Sequence, residues 1–208
     1  GVAVDRLREA QRDAHREAVP FVLAVAVAQG GVAALSAWQG WELLGRRDWW
    51  IWLLLALPAL VLVAAFLGGV GQERDARRRR TRAIGLLAVL GTANLAGVVL
   101  LVASLVGVSS ARPTGAQLLA SAFSVLLTNI VTFALAFWEA DCGGPVQRAL
   151  AEKRTCPDFQ FPQDENPTLA RPGWEPRLGD YFYVSLTNSI AFSPTDAMPL
   201  TQRAKWLM

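Results

Sequence analysis

Histidine appears once in this chain of 208 residues, and cysteine, methionine and tyrosine twice each. A protein zinc site takes three or four His, Cys or carboxylate ligands brought close together. His15, Cys142 and Cys156 are too few and too scattered in sequence to supply one. No metal and no other cofactor is therefore expected. Also missing are a phosphate-cradling glycine loop, a dinucleotide fingerprint, the paired histidines of a zinc protease and a nucleophile elbow. With those absent, the chain reads as a protein that is not an enzyme. Glu139, Asp141 and Asp196 are the only acids that catalysis would have to draw on.

Charge is missing where its absence says most. Four windows, Val19–Trp38, Trp49–Val70, Ala83–Val108 and Ala116–Trp138, hold no Asp, Glu, Lys or Arg in their interiors. A helix needs about 20 predominantly apolar residues to cross a bilayer core of about 30 Å. Each window is long enough. The expected class is an all-α membrane protein with four transmembrane helices over residues 19–138. Residues 1–18 precede them, with Val4, Leu7, Ala10 and Ala14 at helical spacing among mixed charges. That pattern suits a short amphipathic helix or a solvated helical extension. Residues 139–179 are rich in proline and aromatics and read as a loop. Residues 180–208 read as a re-entrant or interfacial segment leading into the start of a fifth helix.

What charge there is falls unevenly. Arg6, Arg8, Arg12 and Arg16 precede the first window, and Arg74, Arg77, Arg78, Arg79, Arg80 and Arg82 separate the second from the third. Only Arg46 and Arg47, and then Arg112, occupy the alternate loops. Lys and Arg near span ends mark the cytoplasmic side. With a cytoplasmic N-terminus, the inner side collects seventeen of the twenty Lys and Arg. The implied location is a bacterial inner (plasma) membrane, crossed several times. Arg77, Arg78, Arg79 and Arg80 read as a topology determinant at the inner leaflet, where contact with anionic lipid head groups follows. No nucleic-acid-binding module surrounds the run, so nucleic acid is not an expected partner.

Inside the windows the sequence gives packing cues. Trp38, Trp41, Trp49, Trp50, Trp52 and Trp138 lie near span ends, where indoles prefer the interface. Pro58 predicts a kink in the second helix. Ala93 and Gly97, four apart, allow close approach to a neighbour. Asn94, Thr128, Asn129 and Thr132 are polar groups at bilayer depth, suited either to interhelical hydrogen bonds or to lining a polar path. At the end of the fourth window, Glu139 and Asp141 read either as a cation-attracting rim in an oligomer or as solvated residues closing a helix before Gly143, Gly144 and Pro145. Cys142 and Cys156 are expected as thiols on a cytoplasmic face, or as a pair on an oxidising one.

Several blocks near the C-terminus carry a resemblance. LTNIVTFALAFWEADCGGP, PDFQFPQ, PGWEP and DYFYVSLTNSIAFSPTDAMPLTQRAK resemble an uncharacterised family of actinobacterial integral membrane proteins. The resemblance runs from the fourth window to the C-terminus and implies a further apolar helix beginning near Met208. The order aromatic, SLTNSIAFSPTD, apolar, basic is also similar to the pore region of potassium channels. Thr187 would stand at the filter-leading Thr and Asp196 at the closing Asp. Neither filter glycine is present and Pro194 interrupts the stretch, so potassium selectivity is not implied. A degenerate pore loop is, with Thr187, Asn188, Ser189, Ser193, Thr195 and Asp196 as its lining.

Two functions follow. One is a non-catalytic membrane scaffold or accessory subunit that docks a protein partner through residues 139–179. The other is an oligomeric ion channel or permeation protein with its degenerate pore loop at residues 181–196, most simply a homo-oligomer. A scaffold predicts that this segment packs against its own helices.

Overall fold

The computed structural model of the protein describes residues 2–42, 49–67, 76–106, 113–151, 157–190 and 197–208. Four long helices come first: α1 (Val2–Gln39), α2 (Trp49–Leu67), α3 (Ala76–Leu105) and α4 (Gly115–Ala140). After them come α5 (Pro145–Leu150), a two-residue strand β1 (Phe159–Gln160), α6 (Pro162–Glu165), α7 (Leu178–Ser189), a second strand β2 (Met198–Pro199) and α8 (Gln202–Leu207). Among the described residues three helices are long and apolar enough to cross a membrane: α1, α3, and α4 with the turn and short helix that follow it. That fits a membrane protein. The 19-residue α2 is a helix too, continuing through position 58.

Residues 2–18 are helical, as expected, and continuous in α1 with the apolar window that follows. Nothing between Ala18 and Phe21 stops α1, which runs as one 38-residue helix with Pro20 inside it. The missing proline N–H removes one backbone bond, but the apolar run on the far side carries the helix on. Likewise Arg77, Arg78, Arg79, Arg80 and Arg82 form the opening turns of α3 rather than a loop.

The chain divides into two compact units. The first comprises Val19–Gly68 and Gly85–Asn129. Val32 and Ala33 of α1 and Trp52 and Leu55 of α2 form its buried centre, with Ala93 and Leu100 of α3 and Ala120 and Val125 of α4 packed around them. Gly97 explains how α3 gets close. A Cβ there would sit 3.4 Å from a Leu55 methyl and 3.5 Å from a Val125 methyl. Val27, Leu95, Val99, Leu119 and Phe123 face outward and exposed, as lipid-contacting side chains do. Trp52, expected as an interfacial anchor, is instead 3% exposed; packing across α1 and α2 outweighs the indole's interfacial preference.

The second unit comprises Gly1–Ala18, Gly69–Ile84 and Ile130–Met208. Seventeen of the twenty Lys and Arg of the sequence fall in these segments. Its core is Phe137 and Trp138 at the end of α4, Val146 of α5, Phe159 and Phe161, and Leu178, Tyr181 and Val184 of α7. Trp138, like Trp52, is core rather than anchor.

Short elements, α5, β1 and α6, interrupt the expected loop at 139–179. Proline at the first position of α5 and of α6 pre-sets the helical φ without wasting an N–H. An aspartate three residues into α6 and α7 accepts the orphan N–H at each start: Asp164 from Phe161 N at 2.9 Å, Asp180 from Arg177 N at 2.7 Å. Thr201 caps α8, accepting from Ala204 N at 3.2 Å. β1 and β2 pair antiparallel, Phe159 opposite Pro199 and Gln160 opposite Met198.

Candidate functional site

The best-organised polar constellation lies in this second unit, around Asp141. Its α4 neighbours deliver it into a tight reversal. Cys142, Gly143 and Gly144 all take positive φ, at 50°, 83° and 100°. Glycine tolerates such angles freely and cysteine does not. The reversal drives the Asp141 side chain inward until none of the residue is exposed. Oδ1 accepts from Asp158 N at 2.7 Å and Phe159 N at 3.3 Å. Oδ2 accepts from the Tyr181 hydroxyl at 2.5 Å and lies 3.9 Å from the Arg148 guanidinium. A buried carboxylate needs this much compensation, because an unpaired one costs several kcal/mol even after relaxation.

Arg148 closes the centre from α5. It donates to the carbonyls of Trp138 at 2.8 Å and Asp141 at 2.6 Å, the residues that end α4. Its guanidinium carbon stands 5.3 Å from the centroid of the Tyr181 ring, so it also makes a cation–π contact. One arginine thus satisfies helix-end carbonyls, faces a carboxylate and stacks on the tyrosine that bonds the same carboxylate.

Asp158 forms a second centre one step outward. Oδ1 accepts from the Thr201 hydroxyl at 2.6 Å, and Oδ2 from Arg203 at 2.6 Å and Cys142 N at 3.4 Å. Its backbone carbonyl accepts from Leu200 N at 2.8 Å. Burial alone would raise the Asp158 pKa. The Thr201 hydrogen bond, the Arg203 hydrogen bond and charge, and the Cys142 N–H outweigh it and hold the carboxyl below its ordinary value. Around both centres runs an aromatic chain: Phe133, Phe137, Phe159, Tyr181, Phe161 and Trp174, with successive ring centroids 5.2–6.1 Å apart. Such tilted and edge-to-face pairs add about 0.5–1.5 kcal/mol each beyond area burial.

Beside this core, and lined wholly by the same unit, is a cavity of about 1020 Å³. Asp13, Arg16 and Glu17 of α1 border it with Arg148, Trp174 and Arg177. Glu17 fastens α1 to α7 here, accepting from Leu178 N at 3.1 Å with Arg177 4.0 Å away.

The expected site residues fall as follows. Asp141 is neither a rim carboxylate nor solvated; it is the buried hub. Glu139 is half-buried, its carboxylate lying where a Cβ on Gly144 would meet it at 3.1 Å. Thr187, Asn188 and Ser189 form the last turn of α7. The Thr187 hydroxyl donates to the carbonyls of Tyr183 and Val184, and Asn188 donates to the Met208 carbonyl at 2.7 Å. Ser193, Thr195, Asp196 and Cys156 lie outside the described residues, as do the side chains of Arg77, Arg78, Arg79, Arg80 and Pro58. Thr128 accepts from the Gln29 amide at 3.2 Å, and Asn94 donates to Asn129 at 3.4 Å, both within the helical unit. Thr132 is buried.

Sequence reasoning did not find Arg148, Asp158, Tyr181 or Gln29 as structural partners. Only Gln29 gave a local signal, an amide in the middle of an apolar window. Among the described residues no three His, Cys, Asp or Glu side chains group to hold a metal ion. Comparison of the chain with protein-family models, with curated proteins and with solved structures gave no match in any of the three.

Proposed function

We propose that this protein is a non-catalytic membrane scaffold or accessory subunit, with residues 139–208 as a folded docking module on the cytoplasmic side of a bacterial plasma membrane. The observation that carries the reading is where the polar groups of the 181–189 segment go. Ser185 donates to the Ile130 carbonyl at 2.7 Å, Thr187 to its own helix and Asn188 to Met208. Hydroxyls and amides spent inside the module are not presented to an ion. The charge distribution supports the orientation, since seventeen of the twenty Lys and Arg fall in the segments of the unit that contains this module. On this reading α2 is the fourth span and the arginines that open α3 meet anionic lipid.

The cavity bordered by α1, α5 and residues 169–177 is the proposed seat of the protein partner. It offers charges of both signs around Trp174, with Leu169 84% exposed at its border, the mixture of aromatic anchor and polar rim that protein interfaces use.

Photo-crosslinking in living cells tests the reading. A benzophenone side chain at Leu169 is expected to yield one discrete heteromeric adduct that disappears when Trp174 is replaced by Ala. Adducts to lipid alone would overturn the docking role. Purified protein in liposomes is expected to pass no more potassium than empty vesicles. Flux sensitive to Asn188→Ala would instead establish the permeation reading.

A further inference from the structure

Besides Asn94 Oδ1 of α3, the described residues of the helical unit include four buried polar atoms that the fold leaves without a protein partner: Gln29 Oε1, Ser36 Oγ, Ser121 Oγ and Ser124 Oγ. Their residues are 3%, 3%, 0% and 1% exposed. All four belong to α1 or α4, and their spacing puts them in register. The Gln29 amide meets Thr128 at 3.2 Å, and the Gln117 amide meets the Glu42 carbonyl at 3.0 Å. Between those two bonds α1 and α4 run antiparallel. Ser36 is seven residues beyond Gln29, and Ser121 is seven residues before Thr128. Seven residues is two helical turns, a return to the same face about 10 Å along the axis. Ser36 and Ser121 therefore occupy the same level of the seam. One turn from the Gln29–Thr128 bond, Ser124 stands level with Ala33.

A serine in a helix normally has a partner at hand in the carbonyl one turn back. Thr128 takes it, donating to the Ser124 carbonyl at 2.7 Å, and so does Thr92, donating to Ala88. Ser36, Ser121 and Ser124 do not. Gln29 Oε1 is an acceptor only, so whatever meets it must donate. The serine hydroxyls can both donate and accept.

We infer that the seam between α1 and α4 is a binding site for a short file of water molecules, seated on Gln29 Oε1 and the hydroxyls of Ser36, Ser121 and Ser124. Water fits each requirement: it donates to the amide oxygen and exchanges both roles with the hydroxyls. A buried polar site with several such groups is where internal water is held. An alkali cation is a worse match. No carboxylate belongs to this set, and an uncompensated charge at bilayer depth is strongly disfavoured. The file would give a membrane-embedded helix pair a hydrated interior while its outer faces stay in lipid.

Water-edited solid-state NMR of the full chain in lipid bilayers tests this without any substitution. Val27 and Phe123 are the references, on the same two helices at neighbouring depths but 72% and 65% exposed to the outside. Magnetisation from mobile water is expected to reach Ser121, Ser124 and the Gln29 carbonyl several-fold faster than it reaches Val27 and Phe123. Equal and slow build-up at all five would overturn the proposal and make the seam dry. A displacement of the Gln29 and Ser124 resonances on exchanging sodium for choline would seat a cation there and overturn it too.

Discussion

The Tyr181 hydroxyl donates to Asp141 Oδ2 across 2.5 Å, joining residues 40 positions apart in a setting with no solvent access to either side chain. The bond ties the middle of α7 to the turn that ends α4. Arg148 stands on the tyrosine ring and beside the carboxylate at once, so the three side chains form one unit energetically.

Removing either partner of the pair should therefore cost more than an ordinary surface change. Tyr181→Phe leaves the ring in place and deletes one donor, with an expected loss of about 1–3 kcal/mol. Asp141→Ala strands Arg148 and two backbone N–H groups, with an expected loss of about 3–5 kcal/mol. Denaturant unfolding in detergent, followed by tryptophan fluorescence, reads both. A double-mutant cycle should show coupling between the two positions, whereas purely additive losses would mean the bond contributes nothing of its own.

Acid should act through Asp158. Its folded pKa is depressed, so the stabilisation it gives is present above the unfolded value of about 4 and is lost as pH falls through the folded value. Wild-type Tm is expected to drop below about pH 4 more steeply than that of Asp158→Asn, which has no carboxyl to titrate there. Parallel curves for the two proteins would remove Asp158 from the account.

The reversal after α4 predicts opposite outcomes at adjacent positions. Gly144 has φ 100° and ψ 167°, a region open in practice to glycine alone, so Gly144→Ala should cost about 1–3 kcal/mol. Cys142 already strains at φ 50°, and Cys142→Gly should be neutral or stabilising by up to about 1 kcal/mol. Thermal unfolding of the two variants checks the pair of signs.

Topology can be read at the same cysteine. In right-side-out membranes a membrane-impermeant maleimide should label Cys142 only after permeabilisation, because the proposed orientation keeps residues 139–208 inside. Labelling of intact membranes would place the module outside and reopen the channel-like pore.

How much of this the sequence carried depends on whether the cause was local. Hydropathy located the helices because twenty apolar residues announce themselves without reference to the rest of the chain. The α4 window, Ala116–Trp138, differs from the helix by one residue at its start and two at its end. The stop after α4 was legible too, since Gly143, Gly144 and Pro145 are local signals. Residues 139–179 read as a loop because their order is enforced from a distance. β1 and β2 are two residues long, too short for any alternation to show. Asp141 gave the wrong impression for the same reason: an acid at the end of an apolar run looks exposed until Asp158, Phe159 and Tyr181 are known to enclose it. Trp52 and Trp138 misled because an indole suits an interface and a core equally well, and only the packing of neighbours decides.

The hub at Asp141 also has a consequence in time. A ribosome releases the acid before any of the groups that complete its shell beyond Arg148. Asp158 and Phe159 follow it by 17 and 18 residues, and Tyr181 by 40. Asp158 in turn waits 43 residues for Thr201 and 45 for Arg203. While the chain beyond α4 is still being made, the carboxylate at its end has no finished shell. The late-made residues then convert the same group from an uncompensated charge into the keystone of a folded module.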